Sequence, residues 1–473
     1  MTRLRIAVLG ALMVVVAGLA SPTAAYAGGG GVKETGTIDG ANFVIEIPNG
    51  WNGTLVLYSH GYRVPGTPMT AQDAGDPVTG AWLLANGYAL AGSSYSSNGW
   101  ALQQAFHDQI ALLDHFDATY VTPKRTIAWG HSLGGMITAG LIQLNPDRFA
   151  GALPMCGVVA GGPGVWNQGL DAEFVLKTLA SESFAAGLQL VNITNTGFGP
   201  GSNFALAEGV LAAEQATPQG QARLALAAAV GDTPGWFNPK SQEPAATDYA
   251  AREQNQFLWD AKTDFPFLFA LRAELEARAG GNPSWNTGVD YQRQLARSIN
   301  RDEVIALYSA AGLSLQADLD RLADAQRISA DPNALAYLEK YIVYNGDIRQ
   351  PVLTLHTTGD GLVLNQDEQA YASVVRSEGN ESLLRQTFVH RAGHCSFTPA
   401  ETVSAFQTLV NRIDTGRWQD TTNPATMNTA AASLGPGFNV LLSPTEPPFP
   451  MAPAFLTFMP TSFLRPFDAR NLE

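Results

Sequence analysis

The run Gly130-His131-Ser132-Leu133-Gly134, with Gly135 behind it, has the residue types that a nucleophilic serine needs. A serine on a tight turn exposes its hydroxyl, and glycines flank it because side chains there would collide. Residues 126–129 read as a strand and 136–144 as a helix, so Ser132 falls on a strand–turn–helix elbow. The free N–H groups at the start of that helix favour negative charge beside the hydroxyl. A serine hydroxyl needs a base, and the base needs an acid to orient it. Of the seven histidines, His394 is the best placed, in Arg391-Ala392-Gly393-His394 after a late strand. His390 lies inside that strand and reads as a packed side chain. His60 and His131 belong to other motifs, while His107 and His115 lie on a helix. The acid is Asp360, in Thr358-Gly359-Asp360-Gly361 at the end of another strand, with Asp367 in reserve. The chain order is therefore Ser132, Asp360, His394. Such a trio attacks a carbonyl, forms an acyl-enzyme and releases it to water.

Strand-like runs alternating with helices must position these groups. Residues 35–48 read as a hairpin turning at Asp39-Gly40. Strands follow at 54–59, 88–93, 126–129 and 151–156. Between them Leu102, Phe106, Ile110, Leu113 and Phe116 recur at helical spacing, which predicts a helix over 101–117. Near-continuous apolar strands alternating with helices predict a mostly parallel sheet covered on both faces, an α/β fold. From 161 to 350 the strand signal fades. Helical segments stand at 221–230, 249–279, 301–311 and 315–328, which reads as a large helical lid inserted between late strands. Strands return at 352–356 and 386–390, followed by a helix over 399–413. Thr398-Pro399-Ala400-Glu401 opens it as a capping box with proline at the first position. The expected organisation is a leader over 1–27, a core over 28–160 and 351–416, the lid over 161–350, and an extended tail over 417–473 that wraps the surface.

The 473 residues are 45% hydrophobic and 15% charged, too apolar for a disordered chain. The net charge is −14, and about −16 without the leader's Arg3 and Arg5. That sign repels phosphate backbones and anionic headgroups, so no nucleic-acid partner is expected. Residues 2–5 are a basic n-region, 6–20 an apolar run, and Ala25-Tyr26-Ala27 a cleavage site, the pattern of a secretory leader. The apolar run is shorter than the ~20 residues a membrane span needs. Secretion after cleavage near Ala27 is expected, with no stable membrane anchor; the sequence sets no oligomeric state. Cys156 and Cys395 are the only cysteines. In an exported chain an even pair points to one disulfide rather than a metal site.

Among serine triads, this chain order is that of the α/β-hydrolases. Over 30–160 and 350–415 the chain resembles a secreted α/β-hydrolase of the lipase/esterase type. Ser59-His60-Gly61-Tyr62, after the 54–59 strand, is similar to the His-Gly-X loop of lipases. That resemblance implies the Tyr62 and Leu133 main-chain N–H groups as the oxyanion hole. It also implies a site at the carboxyl ends of the strands that needs no metal or cofactor. In that fold Cys156 and Cys395 come close, so their disulfide pins the histidine loop to the sheet. The expected activity is cleavage of carboxylic esters, small or polymeric. A secreted peptidase on the same fold stays open, as does a hydrolase fold used only for binding. An acidic cluster of the lid facing Ser132 would favour the peptidase. Of the lid aromatics Trp166, Trp236, Phe257, Trp259, Phe265, Phe267, Phe269 and Trp285, most are expected in the lid's own core.

Overall fold

The structure is a computed structural model that describes residues 31–468. The predicted leader lies outside the described residues. Nine strands form one sheet. In chain order they are β1 (Val32–Ile38), β2 (Ala41–Ile47), β3 (Thr54–Ser59), β4 (Ala89–Ser93), β5 (Arg125–His131), β6 (Gly151–Met155), β7 (Val352–Gly359), β8 (Leu384–Ala392) and β9 (Phe455–Leu456). Their order across the sheet is β1-β2-β4-β3-β5-β6-β7-β8-β9. Strands β3 to β8 run parallel, while β1, β2 and β9 pair antiparallel at the two edges. The sheet is thus mostly parallel, as the sequence pattern predicts. Every residue of β3, β4 and β6 is buried, the signature of strands covered on both faces.

Helix α1 spans Pro77–Ala85, and helix α2 (Leu102–Thr119) buries Leu102, Phe106, Leu113 and Phe116 of the face its spacing predicts, with Ile110 half-buried. Helix α3 (Leu133–Leu144) begins three residues earlier than predicted, directly after the candidate nucleophile. Gly134 and Gly135 are poor helix formers, and the tight packing behind the turn overrides that preference. Gly134 is required there, since a β-carbon would stand 2.0 Å from the Ser59 carbonyl oxygen.

Between β6 and β7 the chain is helical, with a core of its own built on Leu170, Phe174, Leu211, Leu226, Phe269 and Tyr308. The predicted 249–279 segment is one helical run, α-helix to Trp259 and π-helical over Asp260–Asp264 and Phe267–Leu271. The tail does more than wrap the surface. It forms a helix over Pro424–Ser433, and β9 pairs with β8 to extend the sheet. Among the described residues no helix is long and apolar enough to cross a membrane.

Candidate active site

Strand β5 delivers Ser132 to its carboxyl end, where the backbone turns at φ 59°, ψ −125°. A serine at positive φ is strained, and the turn persists because its surroundings fix it. The Ser132 N–H donates to the Met155 carbonyl at 3.0 Å. A β-carbon at Gly130 would stand 2.5 Å from both the Gly134 and Ser59 carbonyl oxygens, so no side chain fits on that side of the elbow. The β3 loop closes over the serine: a β-carbon built on Gly61 lies 3.3 Å from the Ser132 Cβ. His60 fixes that loop through Ser94 O at 3.1 Å and Gly61 O at 2.7 Å, and its ring stacks on Tyr95. Burial pushes the His60 imidazole down to about 3, so the neutral ring has one N–H and donates to one of these two carbonyls. Tyr62 follows at once in the loop and Leu133 opens α3. Among the described residues neither main-chain N–H enters a turn, loop or cap hydrogen bond with the backbone.

Asp360 lies at the carboxyl end of β7 and is fully buried. Its Oδ1 accepts the Leu362 and Val363 N–H groups, each at 3.1 Å, and its Oδ2 lies 2.8 Å from His394 Nδ1. His394 sits in the turn after β8. That turn hangs on β7 through Gly393 N–H to Gly359 O at 3.1 Å and Thr357 Oγ1 to Gly393 O at 2.8 Å. The His394 Nε2 lies 3.4 Å from Cys395 Sγ, and among the described residues Ser132 Oγ makes no side-chain hydrogen bond. The structure joins Cys156 to Cys395 across 5.4 Å between α-carbons. One end of the disulfide therefore lies just past β6 and the other next to His394.

Two sequence expectations change. His390 is not a packed side chain: it is half exposed, against the Trp236 ring and within 3.5 Å of Glu243. Asp367 does not pair with His394; it accepts the Ala160 N–H at 3.0 Å, and burial pushes its carboxyl up to about 8. His131 is half-buried beside Tyr58, and desolvation together with the nearby His394 holds it down at about 4.

A cavity of about 120 Å³ opens on Ser132, lined on one side by Tyr62, Leu133 and Val158. The helical insertion supplies Trp166, Gln168, Phe267 and Leu268, so two of the eight insertion aromatics reach it. Trp236, Trp259, Phe265 and Phe269 are buried, as expected of a core. Sequence reading missed two groups. One is His356 on β7, 3.7 Å from Asp360 Oδ2 and 3.2 Å from Glu368 Oε1. The other is the pair Asp260 and Asp264, which the insertion places in the cavity wall. Their i, i+4 spacing in a helical run was the signal for a shared face. Burial pushes Asp260 up to about 8, and burial with the charges of Asp260 and Asp360 pushes Asp264 well above the carboxylate range.

Residues 86–160, which hold the elbow, match the model of the prolyl oligopeptidase family. The chain is 29% identical over 425 residues to the o-phthalyl amidase of Xanthobacter agilis, covering 84% of this chain and 90% of that one. Among solved structures it is similar to an esterase from Aspergillus oryzae, at 13% identity and a TM-score of 0.40, over 80% of this chain and 77% of that one. It is likewise similar to the acylaminoacyl peptidase of Pyrococcus horikoshii, at 10% identity and a TM-score of 0.36, over 81% of this chain and 41% of that one.

Proposed function

We propose that this chain, a serine hydrolase of the α/β-hydrolase superfamily, cleaves carboxylic acid derivatives with Ser132 as nucleophile, His394 as base and Asp360 as its orienting acid. The observation that carries the reading is the pairing of Asp360 with His394 at the carboxyl edge of the parallel strands, the edge on which Ser132 also lies. Ser132 at β5 opens into an apolar cavity, while Asp360 at β7 holds His394 after β8 at 2.8 Å. In the reaction Ser132 Oγ attacks the substrate carbonyl and passes its proton to His394 Nε2. The Tyr62 and Leu133 amides hold the oxyanion, each such donor contributing roughly 3–4 kcal/mol in the transition state. His394 then protonates the leaving group, and water activated by the same imidazole releases the acid and frees Ser132. Carboxylic esters are the first substrate class, since their leaving group makes the smallest demand on that proton. Amide cleavage is the second reading, favoured by the likeness to an amidase over most of the chain and by the acidic pair Asp260 and Asp264 of the insertion in the Ser132 cavity.

The chain is proposed to work outside the cytoplasm. The leader pattern and the Cys156–Cys395 disulfide support an oxidising compartment. The test is expression of residues 28–473 in such a compartment, beside a Ser132→Ala variant. Short and long p-nitrophenyl esters and acyl p-nitroanilides are the substrates. Ester turnover that falls by at least about 10⁴-fold in the variant is expected. Dominant anilide turnover would move the reading to amide cleavage, and turnover that survives the substitution would overturn it.

A further inference from the structure

The cavity beside Ser132 carries an arrangement that hydrolysis alone does not require. Asp260 and Asp264 stand in its wall, one helical turn apart, on the π-helical stretch of the insertion. Local π-helix of this kind concentrates at functional sites. Among the described residues no cationic side chain pairs with either carboxyl. Independently, Gln168 is 4% exposed, and its Nε2 donates to the Gly231 carbonyl at 2.6 Å. That bond fixes the amide and leaves Oε1, in the same cavity wall, as a buried acceptor without a partner. The Tyr62 hydroxyl, on a residue 5% exposed, is unpartnered in the same wall. Among the described lining residues there is no Arg, Lys or His.

We infer that the cavity binds a protonated amine of the substrate, the ammonium donating to Asp260, Asp264 and Gln168 Oε1 while the attached apolar group lies against Tyr62 and Phe267. An ammonium carries three N–H donors and no acceptor, one hydrogen for each of these three side chains, while the third acid of the wall, Asp367, already accepts the Ala160 N–H. It also supplies the positive charge that the half-buried carboxyls of Asp260 and Asp264, one helical turn apart, lack, and a charge-assisted hydrogen bond is about twice as strong as a neutral one. An anionic substrate meets the reverse. The unpartnered donors, the Tyr62 hydroxyl and the Trp100 and Trp166 indoles, are neutral and do not replace the counter-ion that a carboxylate needs. Desolvation and the neighbouring acidic charges hold both carboxyls toward their protonated forms, so the ammonium takes the place of a proton.

This inference rests on the hydrolase reading for its role and on a separate measurement for its truth. Calorimetry of the full chain with phenethylammonium, 2-phenylethanol and phenylacetate compares a cation, a neutral isostere and an anion without any turnover. The ammonium is expected to bind about tenfold or more tighter than the alcohol, with phenylacetate weakest. The Asp260→Asn/Asp264→Asn double variant is expected to erase that gap. Should the double variant lose its thermal transition, Gln168→Leu is the second probe, expected to narrow the gap several-fold. Equal affinities, tighter phenylacetate, or a gap that survives the substitutions would overturn the inference. An ammonium preference without turnover of any ester or anilide would uphold the cation site while sinking the hydrolase reading. Ester turnover with no ammonium preference would do the opposite.

Discussion

His394 serves as a base only if the correct nitrogen is free. Asp360 Oδ2 at 2.8 Å takes the Nδ1 hydrogen, which leaves the lone pair on Nε2. Cys395 Sγ, 3.4 Å from Nε2, is part of a disulfide and has no proton to give, so it does not occupy that lone pair. Asp360→Asn is therefore expected to lower kcat by about 10⁴-fold on a p-nitrophenyl ester, with the fold retained, because an amide there favours the wrong tautomer. Behind Asp360 stands His356, fully buried between two carboxylates. Burial opposes its charge, but the Glu368 hydrogen bond and the charges of Glu368 and Asp360 outweigh it and hold the imidazole up to about 9. A base raised above its unfolded value of about 6.5 stabilises the fold fully below that pH and loses the contribution as pH rises through its folded value. Wild-type stability should accordingly decline between about pH 6.5 and 9, and His356→Gln should remove that slope. Urea midpoints across the range read it directly; an unchanged slope in the variant would exclude an imidazolium at this position.

At the scale of elements, the helix Pro399–Thr415 shows what holds the histidine turn. Thr398 Oγ1 accepts the Glu401 N–H at 3.1 Å, and Glu401 Oε2 accepts the Thr398 N–H at 2.8 Å, the capping box legible in the sequence. Glu401 has a second task that no local pattern signals: it pairs with buried Arg391 on β8 at 2.6 Å. Cap and ion pair together bracket residues 393–397, the turn that carries His394. Thr398→Ala should cost about 1 kcal/mol, as a lost cap does. Glu401→Leu should cost about 3–5 kcal/mol, because Arg391 is left charged and unpaired in the interior. Equal shifts in urea midpoint for the two variants would show that the cap alone matters. The same contrast explains what could be read beforehand. Strands β3 and β5 and helix α2 announce themselves because their burial follows chain-local periodicity. The elbow was legible because the glycines at 130 and 134 answer steric demands that only a few residue types meet. Glu401–Arg391 and His356 acquire their roles from partners on other elements, and the Asp260–Asp264 pair from the cavity that other elements complete. In the sequence they are a helix acid, a strand histidine and two acids on a helix face.

Across the whole molecule, the tail ties the helical insertion to the sheet. It runs from β9 at the sheet edge to Phe463, which lines the cavity beside Ser132. Two residues on, Arg465 pairs with fully buried Asp171 of the helix Gly162–Leu179 at 2.9 Å and donates to the Trp285 carbonyl at 2.7 Å. Proline-rich chain without periodicity gave no sign of this, since its contacts lie hundreds of residues away, outside the reach of any local pattern. Burial pushes Asp171 up to about 6, with Arg465 and two neutral donors opposing the rise. An acid raised above its unfolded value favours the protonated folded chain, so its burial weighs more heavily on stability as pH rises. Arg465→Met removes the counter-charge and lifts Asp171 further. Its cost should therefore be largest near pH 8, about 3–5 kcal/mol, and shrink toward pH 5, where the carboxyl takes up a proton and no charge is left buried. Differential unfolding of the variant and wild type at the two pH values makes the comparison. A deficit independent of pH would mean that packing by the arginine stem, not its charge, holds the tail against the insertion.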